Sequence, residues 1–499
     1  MNKRTCGITI QKIVMLLFFV ALGTKINATN IYVATNGNNG NKGSIGEPFA
    51  NIQKGLDHTF AGDTLFIRGG GYFITEHLKV VNSGEVNNWI TIMAYPGEEV
   101  AINADAVAKE EKTATEGWRD MGSIHISGVH YIKISGLTVL YSHGGGIMVR
   151  GKKGKYGEKP TTNIEITHCK VYSSFNSGIG VWYADSVKVT YCEIMDANNQ
   201  RHRPIGYPIR REAPHEALSV PGTSNFEIAY NYLHLCQKEG IDIKEFSSNG
   251  KVHHNYLHNI LREGIYIDSW FGELKNIEVS QNIVHDCDWG ILLSSEGKGS
   301  NMKDIYIHDN LVYKNTSKGI GFSVLGNDEP RENIYIYNNT ICYNGIPGHW
   351  AGKAGGIGIL SSNVKNMFVY NNLLYKNYGY QIGVFADENR IEGAEALKSR
   401  NIVFDNNCYD NFCNDSSTTA GYFQVYLYPV KGENTLLANP MFVDETNFNF
   451  KVEAFSPVLN KGIKKRGDEH KNIGADINAL SNLPSLLPSL FLVKPSEVK

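Results

Sequence analysis

The stretch from Lys238 to Trp270, KEGIDIKEFSSNGKVHHNYLHNILREGIYIDSW, carries one phrase twice: Glu239-Gly-Ile-Asp242-Ile-Lys244-Glu245 is answered by Glu263-Gly-Ile-Tyr266-Ile-Asp268. In an extended chain of period 2 the isoleucines face one way, so Asp242 and Lys244, then Tyr266 and Asp268, face the other. Glu239 and Glu263 open their strands, and Glu216 of HEALSV takes the same place one copy earlier. Like charges on neighbouring strands, about 4.8 Å apart, repel by up to about 1 kcal/mol in water and several-fold more where water is excluded. A chain that needed only solubility would scatter them, so the pattern points to an acidic cleft. Two carboxyl groups in different environments can hydrolyse a glycosidic bond, one as acid and one as nucleophile or base. A lysine beside carboxylates suits a polysaccharide lyase instead: Ca²⁺ neutralises a uronate and the amine removes a proton.

The catalytic candidates are therefore Asp242, Asp268, Glu263, Glu239 and Lys244, and substrate contacts are expected from Glu216, His215, Arg210, Arg211, Arg262, Glu245, Tyr266 and Trp270. Trp182, Tyr183, Phe271 and Trp289 add flat faces for sugar rings. Arg201, Arg203, Arg210 and Arg211 lie on the inserted run NQRHRPIGYPIRREAPHE just before Glu216. Guanidinium groups match carboxylate or sulfate in bidentate fashion, which makes an acidic glycan the expected substrate. His234, His258 and His285 recur in one column, but Tyr313, Cys342 and Tyr375 continue it, so stacking filler is expected there and no metal site.

These side chains need a scaffold that repeats. NFEIAYNYLH, GKVHHNYLH, NIEVSQNIVH, DIYIHDNLVY, NIYIYNNTIC, NMFVYNNLLY and NIVFDNNCY superpose without gaps, with Asn231, Asn255, Asn282, Asn310, Asn339, Asn372 and Asn407 at one shared turn. Cys169 and Cys192 continue the register backwards. A second strand follows each turn, as in EGIDIKE, WGILLSS and GGIGIL, giving two short strands of period 2 per repeat. A unit this small cannot bury its own apolar face, so the coils must stack on a shared interior. An Asn at one bend of every coil would then form an amide ladder that holds the bend. Outside the coils near Asp242, the same outward places hold Gly321, Gly358 and Gly383, or Ser323 and Leu360, so the charges are confined to about three coils.

With those repeats and ladder positions, the chain resembles the right-handed parallel β-helix proteins of pectate-lyase-like type. The opening IYVATNGNNGNKGSIGEPFANIQKGLDHTFAGDTLFIRGGGY is similar to the N-terminal cap of secreted bacterial β-helices, and NPMFVDETNFNFKVEAFSPVLNKG with NIGADI resembles their closing module. The layout from Asp242 to Asn255 is similar to the alginate lyase and chondroitinase B family. Here Ser247-Ser248 stands where that family has Lys-Ser, and Asp268 where it has an arginine. Acidic groups in place of basic ones favour hydrolysis over elimination.

Residues 1–28 combine Lys3, Arg4 and Lys12 with the apolar run IVMLLFFVALG and end in INA, the pattern of a secretory signal peptide. Removing them takes away four Lys/Arg and no Asp/Glu, so the net charge moves from −2 to −6, with no nucleic-acid signature. The later cysteines lack paired spacing and indicate neither a disulfide scaffold nor structural zinc.

The expected organisation is a signal peptide at 1–28, an N-terminal cap with the first coils at 29–119, a β-helix of about ten coils at 120–437 and a closing segment at 438–499. The expected protein is all-β, secreted, monomeric and without a membrane span. It acts on a polysaccharide or oligosaccharide as a glycoside hydrolase with no cofactor. The alternatives are a lyase or C5-epimerase, with Ca²⁺ needed for the lyase, and a non-catalytic glycan-binding solenoid.

Overall fold

The computed structural model describes residues 28–107, 121–151, 160–204, 212–346, 354–386, 394–410, 426–429, 432–464 and 471–491. Residues 1–27 of the expected signal peptide, and Arg210 and Arg211, lie outside the described residues. No described helix is long and apolar enough to cross a membrane.

Three long sheets, of 13, 13 and 12 strands, run the length of the molecule. Each coil lays one strand in each, as with His130–Ser135 in sheet 1, Leu137–Ser142 in sheet 2 and Gly145–Arg150 in sheet 3. Neighbours within a sheet are parallel, apart from Tyr426–Pro429, which runs antiparallel to Ile382–Ala386 at the end of sheet 3. Each repeat thus holds three strands rather than the two expected. The extra one is a three-residue piece after the ladder Asn, such as Tyr232–His234 or Tyr256–His258, too short for alternation to show.

Stacking also begins earlier than the obvious repeats. Asn30–Val33, Thr64–Ile67 and Ile90–Ala94 are the first three strands of sheet 1. The helix Ile52–Asp57 packs Ile52 and Leu56 inward beside them, and the Asn51 side chain caps it by accepting from the Gln53 and Lys54 N–H groups.

Columns of aliphatic side chains fill the interior. Ile241, Ile265, Ile291, Ile320, Ile357 and Ile382 are in register on successive rungs and fully buried. Each such side chain contributes roughly 2–3 kcal/mol of burial. This stack fixes which residues of sheet 3 point outward, since a one-residue slip would exchange the two faces.

The Asn ladder forms as the sequence demands. Asn231 donates from its backbone N–H and its amide to Asn255 Oδ1, both at 3.0 Å, and the amide also reaches Val189 O at 2.9 Å. The pattern repeats through Asn282, Asn310, Asn339 and Asn372 to Asn407, all without solvent exposure. Cys192 joins the same column by donating its N–H to Asn231 Oδ1, and Cys169 and Cys192 are free, buried thiols. A second ladder, Asn315 to Asn344 to Asn377, stands at another corner and was not anticipated from the sequence.

The His column is a stack. His234, His258, His285 and Tyr313 follow one another with ring centroids 5.6, 5.2 and 4.6 Å apart. Beyond the last coils the chain returns along sheet 2. Phe450, Val458, Leu480, Leu483 and Leu487 pack on Ile283, Leu311, Leu373 and Tyr375, so the closing segment lies along the side of the solenoid.

Candidate active site

Four strands of sheet 3 carry the acidic cluster: Leu218–Pro221, Ile241–Lys244, Glu263–Ser269 and Trp289–Ser295. Their register puts Asp242 opposite Ser219 and Tyr266, and Lys244 opposite Pro221 and Asp268. Glu216, Glu239 and Glu263 line the entry edge of the same three rungs, and Trp289 follows Glu263 on the next. The outward column then empties to Leu292, Gly321 and Gly358, so the charge is local, as its spacing implies.

The cluster is not a solvated face. Glu216, Glu239, Asp242, Glu263 and Asp268 are each 7% exposed or less. Lys244 Nζ lies 2.7 Å from both oxygens of Glu216 and 3.4 Å from Asp242 Oδ2. Ser219 Oγ also donates to Glu216, at 2.7 Å. Lys238 reaches Glu239 at 3.4 Å and Glu216 at 3.8 Å. Arg262 reaches Glu239 at 3.0 Å, Glu212 at 3.3 Å and Glu263 at 3.8 Å.

These contacts divide the acids. Burial opposes charge on Glu216, but Lys244 and Lys238 outweigh it and hold this carboxyl well below the usual range. Burial pushes Asp242 well up, with Lys244 opposing and Glu216, Asp268 and Glu239 adding to the rise. Burial and then Glu296 raise Asp268, against Lys244 and the Trp270 indole N–H, which donates to it. Glu263 rises to about 7, through burial first and the neighbouring Glu239 second, with Arg262 opposing. Burial would strip Lys244 of its proton, yet Glu216 and Asp242 reverse that and hold it firmly charged. Asp242 Oδ1, Asp268 Oδ1 and Glu263 Oε2 have no hydrogen-bond partner among the described residues. Such oxygens are costly to bury alone and mark the cluster as a candidate site.

The expected substrate contacts divide as well. His215 packs on Trp182 with centroids 4.3 Å apart. Trp270 and Phe271 are 37% and 63% exposed and offer ring faces beside Asp268. Tyr266 does not: it is buried, and its hydroxyl donates to Glu296. Trp182 and Trp289 are buried too, the latter beneath the Lys318 ammonium at 4.5 Å. Glu245, at the bend with φ 61°, receives the Tyr183 hydroxyl at 2.7 Å and braces that corner. Alternation along a strand shows which way a side chain leaves the backbone but not what covers it, which is why Tyr266 and the two tryptophans were misplaced.

Two participants were missed. Lys238 precedes its strand, where the period-2 pattern does not reach. Glu296 lies just past Trp289–Ser295, accepts from Ser294 at 3.0 Å and is the charge that most raises Asp268. Extending the outward column to the bend of the next coil would have found it.

Two family models agree with this architecture. Residues 31–202 match the family model described as Pel9A-like, right handed beta helix region, and residues 122–311 match one described as right handed beta helix region. The second match takes in the acidic cluster, and the first ends before it. The chain is 27% identical over 480 residues to the uncharacterized protein YwoF of Bacillus subtilis (strain 168), covering 89% of this chain and 96% of that one. It is 29% identical over 146 residues to pectate lyase PEL9 of Emericella nidulans, covering 29% of this chain and 35% of that one. The crystal structure of pectate lyase Pel9A is similar at a TM-score of 0.49 and 13% identity, covering 90% of this chain and 96% of that one.

Proposed function

We propose that this right-handed parallel β-helix, similar over part of its length to a pectate lyase, is a secreted glycoside hydrolase cleaving an acidic glycan between Asp242 and Asp268. The observation that carries this reading is a buried pair of carboxyl groups, both with raised pKa and an unpartnered oxygen, beside a lysine that Glu216 keeps charged. Asp242 faces Glu216, Glu239 and Asp268, is pushed well above the ordinary carboxyl range chiefly by burial, and protonates the leaving oxygen. Asp268, raised by burial and Glu296 with Lys244 and the Trp270 N–H opposing, acts on the opposite side of the sugar. The two are one rung and two residues apart, about 8 Å between Cα atoms. Lys238, Lys244 and Arg262 are all engaged by carboxylates, so acidic units of the glycan would be met by Arg201 and Arg203 on the preceding connection.

A second reading, a Ca²⁺-dependent lyase, is favoured by the Pel9A-like match and the likeness to PEL9. In it the unpartnered oxygens of Asp242, Asp268 and Glu263 would hold the cation, whose oxygen-ligand chemistry they suit. Lys244 would then have to release a proton that Glu216 now holds in place. Product analysis on a panel of acidic and neutral glycans separates the two. New reducing ends without the ultraviolet absorbance of an unsaturated uronate are expected. Unsaturated products from a chelator-sensitive enzyme would establish the lyase.

A further inference from the structure

Two to three coils before the acidic cluster, at the same corner between sheets 2 and 3, three side chains distant in sequence converge. Asp105 follows the strand Val100–Asn103, His143 sits between Leu137–Ser142 and Gly145–Arg150, and His202 closes the short turn Gln200–His202 after Glu193–Met195. One ligand atom from each lies within 4.8 Å of the other two.

The hydrogen bonds of His143 show what is missing. Its ring is 7% exposed; Nδ1 lies 2.9 Å from the His202 carbonyl, and Nε2 lies 3.0 Å from Asp105 Oδ1 and 3.1 Å from the Asp105 carbonyl. A carbonyl can only accept, so Nδ1 carries the hydrogen. In a neutral ring Nε2 is then a bare lone pair facing two oxygens, which repel it. The arrangement calls for a cation at that point, either a second proton or a metal ion. An Nδ1–H bound to a backbone carbonyl is also the usual way a protein fixes the tautomer and aim of an Nε2 ligand. The His202 ring is set edge-on to His143 at 5.6 Å and stacked on Tyr141 at 5.7 Å, so both imidazoles are held in place.

We propose that Asp105, His143 and His202 bind a divalent transition-metal ion, with Zn²⁺ the best match for two imidazoles and one carboxylate. Ca²⁺ and Mg²⁺ prefer all-oxygen sites. The half-exposed Asp105 leaves room for water to complete the coordination. The role of the ion follows from where His202 sits. It lies on the long connection between Glu193–Met195 and Leu218–Pro221, and that connection ends at Glu216. A metal there fastens the start of this connection to two earlier coils and steadies the segment that delivers Glu216 to Lys244.

The test uses the full chain stripped with a chelator. Titration with Co²⁺ should give one equivalent of visible d–d absorption, Zn²⁺ should displace it, and Zn²⁺ should raise the melting temperature by several degrees. His143→Gln and His202→Gln should abolish the absorption and the thermal shift, while a chelator-stripped sample of each melts close to the stripped parent. His202→Gln and Asp105→Asn alter more exposed groups and keep the test decisive if His143→Gln fails to fold. Absence of saturable binding would overturn the proposal, as would binding unchanged in all three variants. So would a doubly protonated His143 ring that persists at neutral pH in the presence of Zn²⁺, seen by NMR.

Discussion

Lys244 Nζ lies 2.7 Å from both oxygens of Glu216, while its distance to Asp242 is 3.4 Å. The lysine is therefore a fixed counter-charge to Glu216 first and a neighbour of the proposed acid second. Lys244→Arg preserves that charge, so measurable activity should remain and the pH profile should keep its shape. Lys244→Met strands a buried carboxylate and should cost about 3–5 kcal/mol of stability along with activity. Thermal melts and initial rates on both variants check this, and an inactive but stable Lys244→Arg enzyme would point to the lysine as a base.

Asp242 and Asp268 should be indispensable for turnover and dispensable for folding. Asp242→Asn and Asp268→Asn keep size and shape while removing the proton or the charge. Each should lower kcat by at least about a thousandfold, the scale of acid–base and nucleophilic contributions. Neither should lower the melting temperature, because each relieves crowding among carboxylates. Near-normal kcat in both would move the site elsewhere on the solenoid.

The scaffold was far more legible in the sequence than the site. The Asn column could be read off because Asn231 to Asn407 recur at one place in every coil, and one physical need, satisfying a buried bend, fixes them all. The acidic column was legible for the same reason: register alone brings Glu216, Glu239 and Glu263 together. What covers a side chain is set by bends and neighbouring coils, which follow no period. Hence alternation points Tyr266 outward as a sugar platform while the fold buries it, Glu245 braces Tyr183, and no period reaches Lys238 or Glu296.

Breaking the ladder should be costly in proportion to the bonds lost. Asn282 accepts from both the backbone and the amide of Asn255 and donates to Asn310 Oδ1 and Val252 O. Asn282→Leu strands those groups on two neighbouring coils, each costing about 1–3 kcal/mol. A fall in melting temperature of many degrees is expected, and an unchanged melting temperature would show that the ladder does not hold the coils.

Glu263 sets a pH dependence of stability with a definite sign. Its carboxyl rises from the ordinary 4.5 to about 7 in the fold, so the native state binds a proton more tightly than the unfolded chain. Its contribution is complete below about 4.5 and is lost as the pH rises through about 7, a change on the order of 3 kcal/mol. Glu263→Gln should remove this slope, leaving the variant as stable as the parent at pH 5 and more stable at pH 8. Denaturant unfolding at both pH values checks it, and an unchanged slope would mean that Glu263 titrates as if exposed.

Trp270 touches the site in two ways that substitution can separate. Its indole N–H donates to Asp268 and lowers that carboxyl against burial and Glu296, while its ring is part-exposed for stacking on a sugar. Trp270→Phe keeps a ring face and removes the donor, so the Asp268 carboxyl should rise further. If Asp268 must be ionised to act, the acidic limb of the kcat/KM profile should then move to higher pH with KM little changed. Trp270→Ala removes both and should raise KM as well. A profile that stays in place in Trp270→Phe would show that Asp268 does not govern the acidic limb, and the ionised partner would then have to be sought at Glu239 or Glu263.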